Sequence, residues 1–358
     1  MSATKAIFCK KDNLFGELSF FDYDKHCLLA HFCWSRTYKS MLLDIVYIVI
    51  GIIGLVFGGN WLVTGSSRLA ESFGIPRLIV GLTIVAFGTS APELLVNLSS
   101  VLNGSTDLAL GNVVGSNIVN IAFILGISGL ISPIMVQATL LRREIPIMIG
   151  TAVLAYGLSL DGVLNQLDGI ILVGCFLAFN ALMIGITLKG KDATVAPDVA
   201  EFPAEEVVAI NRLLEVGRLL AGLVILVIGA NLTVTGAINI ATAIGISQLV
   251  IGVTLVAVGT SLPELMASLI AALRKESDLA IGNVVGSNIF NILLILGSTA
   301  VIQPVNVPAS SLQFDFLVMI GLSILVLPLA WTSGKLARWE CGLFVLGYVA
   351  FVILTLIR

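Results

Sequence analysis

DLALGNVVGSNIVNI, residues 107–121, returns almost unchanged as DLAIGNVVGSNIFNI, residues 278–292. The same offset of 171 carries outward on both sides. It pairs Asn60 with Asn231, Thr64 with Thr235, Gly74 with Gly245, Thr89 with Thr260, Pro92 with Pro263, Glu93 with Glu264 and Pro133 with Pro304. The alignment needs no gap across three apolar stretches. Shared membrane-like composition does not reproduce a polar pattern of this kind, so the chain is an internal duplication.

The duplicated matter is apolar. Of 358 residues, 58% are hydrophobic and 11% charged, and the mean hydropathy is +1.06. A soluble domain of this length does not bury that much apolar surface. The apolar runs recur at lengths near that of a bilayer crossing, which predicts an all-α polytopic membrane protein. A membrane β-barrel would instead show short alternating segments. The net charge of −3 gives no reason to expect a nucleic-acid partner.

The breaks between runs give about ten spans: 42–67, 76–101, 107–131, 144–160, 167–188, 212–240, 247–272, 278–301, 314–331 and 338–357. A polar stretch divides them five and five. The predicted organisation is an N-terminal extension at 1–40, a first five-helix repeat at 41–188, a cytoplasmic linker at 189–211 and a second five-helix repeat at 212–358. Five is odd, so the second copy enters the membrane in the opposite sense. That is an inverted-topology repeat, an architecture of secondary transporters whose site lies near the midplane between the copies.

Basic residues set the expected orientation. Arg68, Arg77, Arg142, Arg143, Lys189, Lys191, Arg212, Arg218, Arg274, Lys275, Lys335 and Arg338 all lie in or beside the loops after spans one, three, five, seven and nine, and after residue 40 only Arg358 does not. The positive-inside rule puts those loops in the cytoplasm and both termini outside. Residues 1–40 break the pattern with Lys5, Lys10, Lys11, Lys25, Arg36 and Lys39, and they contain no signal-peptide core. Met41 directly opens the first span, so residues 1–40 read as a disordered or non-native extension. Its Cys9, Cys27, Cys33, His26 and His31 fit no zinc spacing. Cys175 and Cys341 lie in apolar spans and read as small hydrophobes.

The chemistry concentrates in GLTIVAFGTSAPELL (81–95) and GVTLVAVGTSLPELM (252–266). A carboxylate in such a run is a functional hypothesis by default. Pro92 cannot donate to the carbonyl of Gly88, nor Pro263 to that of Gly259, so each proline is expected to free a carbonyl and bend the helix. Thr89 and Ser90 share a helical face with Glu93, and Thr260 and Ser261 with Glu264. Asn112, Ser116 and Asn120 form a stripe at spacing four, repeated as Asn283, Ser287 and Asn291. Nearly every group offered is a hard oxygen donor, with no His or Cys, which disfavours zinc or copper and suits calcium or sodium. Asp107 and Asp278 read as helix caps or mouth residues, and Asn112 and Asn283 as bridges between helices.

The paired GTSAPE and GTSLPE, each followed by GNVVGSN, resemble the two alpha repeats of the calcium/cation antiporter superfamily, specifically prokaryotic sodium/calcium exchangers. The resemblance covers residues 41–358. It implies a ten-helix fold with four cation positions clustered at the midplane. It implies that Glu93 and Glu264 bind calcium together with the backbone carbonyls of Thr89 and Thr260. Ser90, Ser116, Ser261, Ser287 and the carbonyls of Ala86 and Ala257 are implied for sodium, with Asn120 and Asn291 completing the cluster. Several branches, potassium-dependent exchangers among them, carry Asp at one of those last two positions; here both are Asn, so a third carboxylate is missing.

The expected function is a secondary antiporter of the plasma membrane (the inner membrane of a Gram-negative cell), exchanging calcium for sodium by alternating access. Spans one and six, with their small-residue edges GGNWLVTG and GANLTVTG, are the expected moving pair. No enzyme activity and no cofactor are expected; the partners are the two ions and the bilayer. The rival readings are a proton/calcium exchanger, a cation channel and an intramembrane hydrolase. The last is disfavoured by the absence of paired Asp or zinc-binding His in the spans.

Overall fold

A computed structural model describes residues 23–192, 211–246 and 257–357. Helix α1 spans Tyr23–Phe73, and its membrane-length part is Met41–Phe73. A broken element follows, α2a (Arg77–Thr89) and α2b (Ala91–Leu102), bent by 43°. Then come α3 (Thr106–Ile131), α4 (Ile145–Leu158), α5 (Gln166–Leu188) and α6 (Arg212–Ala243). A second broken element has α7a (Ala257–Thr260) and α7b (Leu262–Leu273). The described chain closes with α8 (Ser277–Ile302), α9 (Ser311–Thr332) and α10 (Arg338–Ile357).

Seven of these helices are long and apolar enough to cross a bilayer, and the bent α2 pair makes an eighth. Helix α4 and the described part of α7 are shorter. The expected first half of span seven, 247–256, lies outside the described residues, as do 1–22 and most of the expected linker. Residues 23–40, part of the extension expected to be disordered or non-native, are helical and continuous with α1. Their stretch YDKHCLLAHFCWSRTYKS contains no Gly or Pro to interrupt a helix.

Helix α1 runs six residues beyond its expected end at 67. It stops where Gly74 takes a left-handed conformation, φ 64°. There the Gly74 N–H bonds the Glu71 carbonyl and the Ile75 N–H bonds that of Ala70. Gly245, the repeat partner of Gly74, ends α6 in the same way at φ 84°, with bonds to Thr242 and Ala241. Only glycine adopts this conformation without penalty, and the paired bonds satisfy the last helical carbonyls.

Helices α3 and α8 form the centre. In their membrane windows 72% and 94% of residues are buried, against 22% for α1, α5 and α10. Around that centre, α1 and α6 pack antiparallel along a seam of glycines. Gly51, Gly58 and Gly65 recur every seventh residue on α1, and Gly222, Gly229 and Gly236 do so on α6. Seven residues are close to two turns, so each set lines one face. A Cβ on Gly58 would meet the Leu226 nitrogen at 2.7 Å and the Gly222 oxygen at 2.8 Å. One on Gly222 would meet the Leu62 nitrogen at 2.6 Å. Since the pair is antiparallel, the axis that exchanges the two copies runs perpendicular to the helices, in the plane of the membrane they cross.

Polar contacts pin both ends of the pair. Glu215, buried, accepts from Arg68 Nη1 at 3.0 Å and from Arg218 Nη1 at 2.7 Å. At the other end Asp44 Oδ1 accepts from Asn239 Nδ2 at 2.8 Å. The repeat offset relates Asp44 to Glu215 and Arg68 to Asn239, so one position is an ion pair at one end and a neutral-donor contact at the other. Arg274, beside the end of α7b, donates to Asn60 Oδ1 (2.7 Å) and Thr64 Oγ1 (2.6 Å) of α1.

Two short antiparallel strand pairs, which the sequence did not announce, tie the copies together. Ile134–Met135 pairs with Lys335–Leu336, and Val163–Leu164 with Val305–Asn306. Strands two residues long leave no alternation to read.

The glycine seam can be tested directly. Gly58→Leu is expected to destabilise the protein by at least about 1–3 kcal/mol, the range of overpacking in a close-packed interior. Gly174→Leu, where a Cβ has nothing within 4 Å, is expected to be neutral. Thermal unfolding in detergent measures both, and an equal melting temperature for the two variants would refute the seam.

Candidate functional site

Both helix breaks are built alike. Ser90 leaves the helix at φ −82°, ψ 5°, and Ser261 does so at φ −89°, ψ 9°. Helices α2b and α7b restart at once, with Pro92 and Pro263 in the first turn, where a missing N–H breaks no intrahelical bond. Glu93 and Glu264 therefore stand in the first turn of a helix, at its positive end. The expected free carbonyl at Gly88 is not found. The turn tightens at Ser90, and backbone N–H groups at the break reach the carbonyls of Ala86 and Gly88. The Ala86 carbonyl also lies 3.3 Å from Thr89 Oγ1.

Ser-x-x-Glu at a helix start is the pattern of a local capping box. Here neither serine side chain caps its own helix. Ser90 Oγ donates to Glu264 Oε1 at 2.9 Å, and Ser261 Oγ donates to Glu93 Oε1 at 3.2 Å. Each copy's serine serves the other copy's carboxylate, and the two contacts are repeat partners of one another. All four side chains are at most 2% exposed.

Helices α3 and α8 carry the other candidate oxygens. Ser116, Ser287, Asn120 and Asn291 are all buried. Asn120 and Asn291 sit on π-helical turns, Val119–Leu125 and Asn291–Leu296; widened turns of this kind mark functional positions in many helices. Asn283 behaves as the expected bridge: its Oδ1 accepts from Thr89 Oγ1 (3.2 Å), and its Nδ2 donates to Ser268 Oγ (2.9 Å). Asn112 donates to Asn97 Oδ1 at 2.6 Å. Thr260 ends α7a, and Ala257 begins it. Asp278, expected as a cap or mouth residue, accepts from Gln137 Nε2 at 2.6 Å.

The unmet acceptors are the informative part. Glu93 Oε2, Glu264 Oε2, Asn120 Oδ1, Asn291 Oδ1 and Ser287 Oγ are buried without a hydrogen-bond partner. An unmet buried polar atom is costly, and an unpaired carboxylate costs several kcal/mol. None of the ion pairs among the described residues reaches Glu93 or Glu264. Neither is there any cluster of three or more His, Cys, Asp or Glu among them. What remains is a set of buried hard oxygens with two carboxylates, a donor chemistry that matches an alkali or alkaline-earth cation.

Helix α2a is held against α8 at backbone contact. A Cβ on Gly286 would meet the Leu82 oxygen at 2.5 Å and the Ala86 Cβ at 2.8 Å. Sequence reading passed over Gly286, and over Asn117 and Asn288, because nothing in their spacing separates them from ordinary packing residues.

A polytopic helical bundle, duplicated about an in-plane axis and carrying two buried carboxylates at paired helix breaks, is a membrane cation transporter. The chain belongs to the sodium/calcium exchanger family, whose description, Sodium/calcium exchanger protein, matches residues 43–185 and again 214–357. Inner membrane protein YrbG of Escherichia coli (strain K12) is 39% identical over 298 residues, covering 81% of this chain and 90% of that protein. Sodium/calcium exchanger MaX1 of Methanosarcina acetivorans is 32% identical over 341 residues, covering 87% and 97%. Among solved structures, the sodium-calcium exchanger NCX_Mj soaked with Na+ and Sr2+ is similar at a TM-score of 0.74 and 33% identity, over 87% of this chain and 98% of that one. The protein is thus an antiporter of the sodium/calcium exchanger type.

The α2a–α8 contact generates a test. Gly286→Val is expected to push Ala86 and Thr89 away from Asn283 and weaken calcium binding by about tenfold or more, if overpacking of about 1–3 kcal/mol falls on the site. Gly321→Val, where a Cβ meets nothing within 4 Å, is expected to bind normally. Equilibrium binding of radioactive calcium in detergent distinguishes them.

Proposed function

We propose that the protein moves calcium out of the cell as sodium enters, by alternating access across the plasma membrane, with both termini outside. The observation that carries this reading is the crossed pair of Ser–Glu contacts surrounded by unmet oxygens. Glu93 and Glu264 are the calcium ligands, with the carbonyls of Thr89 and Thr260. Ser90, Ser116, Ser261, Ser287 and the carbonyls of Ala86 and Ala257 hold sodium, and Asn120 and Asn291 complete the cluster. Calcium neutralises both carboxylates at once; two or more sodium ions do the same. The two sets compete because they share those charges. A neutralised site can change its exposure cheaply, while an empty site of charge −2 resists passage through hydrocarbon.

The glycine seam supports α1 and α6 as the moving pair, since it joins them to one another at backbone contact. The names of the relatives agree with the membrane and the ions: YrbG is described as an inner membrane protein and MaX1 as a sodium/calcium exchanger.

Calcium uptake into sodium-loaded vesicles, with the proton gradient collapsed, tests the exchange. Uptake that follows a proton gradient and ignores sodium would replace this reading with proton/calcium exchange. Glu93→Gln and Glu264→Gln are each expected to reduce calcium affinity by about a hundredfold or more. At an effective dielectric of about 20, two unit charges ~2.4 Å apart attract by roughly 7 kcal/mol before desolvation and a divalent ion by about twice that, so a modest net fraction suffices. Ser90→Ala and Ser261→Ala are expected to weaken sodium dependence more than calcium affinity. Normal calcium exchange in either Gln variant would make that glutamate structural.

A further inference from the structure

Behind Asn120 and Asn291 stands a second pair of asparagines, and behind those a pair of methionines. Asn120 Nδ2 donates to Asn288 Oδ1 at 3.0 Å, and Asn288 Nδ2 lies 3.6 Å from Met148 Sδ. The repeat partner of this chain is also present. Asn291 Nδ2 donates to Asn117 Oδ1 at 3.5 Å, and Asn117 Nδ2 lies 3.6 Å from Met319 Sδ. All six side chains are 1% exposed. Each chain starts on a peripheral helix, α4 or α9, and ends at an amide oxygen that has no partner, Asn120 Oδ1 or Asn291 Oδ1.

An asparagine amide can face a neighbour with either its oxygen or its NH2, and only the first can hold a cation. A thioether sulfur accepts hydrogen bonds and cannot donate them. Set against Met148, Asn288 must turn its NH2 to the sulfur and its oxygen to Asn120. Asn120 must then answer with its NH2, which leaves its oxygen without a protein partner. Reversing Asn288 would place acceptor against acceptor at the sulfur and donor against donor between the amides; reversing Asn120 alone would place acceptor against acceptor between the amides. A hydroxyl in place of the sulfur could both donate and accept and would fix nothing. A soft thioether also competes poorly for hard cations.

We infer that Met148 with Asn288, and Met319 with Asn117, are positioning residues that fix the amide orientation of Asn120 and Asn291, so that oxygens rather than NH2 groups face the transported cations. The inference rests on the proposed ligand role of Asn120 and Asn291. It also explains a repeat pair that the motif residues do not include: Met148 and Met319 stand at the same offset of 171.

The test uses the full-length protein in reconstituted vesicles, reading half-saturating concentrations of calcium and sodium together with the maximal rate. Wild-type protein that exchanges no calcium for sodium would overturn the functional reading, and the inference with it. If wild type exchanges, Met148→Leu and Met319→Leu keep the volume and remove the acceptor. Each is expected to raise a half-saturating ion concentration about fivefold, the worth of one neutral hydrogen bond, with the maximal rate little changed. Asn120→Asp and Asn291→Asp supply the decisive background, because a carboxylate presents oxygen whichever way it turns. In Asn120→Asp the effect of Met148→Leu should vanish, and in Asn291→Asp that of Met319→Leu. A persistent effect there would mean a packing defect and overturn the inference, as would unchanged affinities in both Leu variants. Norleucine incorporated for methionine repeats the comparison with shape preserved should a Leu variant fold poorly.

Discussion

Two carboxylates are buried at the centre of the molecule, and no ion pair among the described residues reaches them. Much of the surrounding architecture follows from that constraint. Glu93 and Glu264 need helix N-termini, so α2 and α7 are broken, with Pro92 and Pro263 restarting them. They need hydrogen-bond donors without a fixed positive charge, so Ser90 and Ser261 cross between the copies. A lysine or arginine in their place would satisfy the charge permanently and leave nothing for a cation to do. The unmet oxygens on Glu93, Glu264, Asn120, Asn291 and Ser287 are the same statement from the other side. The protein keeps its centre incomplete, and the missing charge must come from outside.

The packing around the site is of two kinds. Helices α3 and α8 are mostly buried and carry the buried Ser116, Asn120, Ser287 and Asn291. Helices α1 and α6 are largely exposed on their outer sides and touch one another through glycine. Without a hydrophobic drive between helices in lipid, backbone proximity and a few polar pins do the joining. The Glu215 cluster with Arg68 and Arg218 pins one end, and Asp44 with Asn239 the other. Arg274, reaching to Asn60 and Thr64, fastens the pair to α7b at one end. At the corresponding place in the first copy, Asn103 instead donates to Ser99 of its own helix. The duplication is therefore close in the site and looser in the contacts that hold the outer pair.

The fold was legible because the repeat was. One offset located the copies, the odd number of spans gave their relative sense, and the composition gave the class. The breaks at Ser90 and Ser261 were legible from the prolines, and the ligand chemistry from the absence of His and Cys. Partner choice was not. Ser90 lies three residues before Glu93, and that spacing describes a neighbour on the same face, yet the hydroxyl goes to Glu264. Proline suggested a free carbonyl at Gly88, but a tightened turn at Ser90 claimed it. The π-helical turns under Asn120 and Asn291 leave no mark in the sequence, since they are set by packing. Met148 and Met319 share the repeat offset but lie outside the polar motif, and an apolar pair in an apolar span carries no signal of its own.

The crossed serine contacts also bear on how such a chain can change over generations. In a duplicated protein whose halves each built their own site, one half could drift while the other carried the function. Here Ser90 answers to Glu264 and Ser261 to Glu93, so neither half contains a finished constellation. A substitution at Ser90 is judged by a residue encoded more than half a kilobase away, and its natural compensation lies there too. The two halves are bound to a joint history, which is one physical reason that the motif repeats so closely while the helices around it diverge.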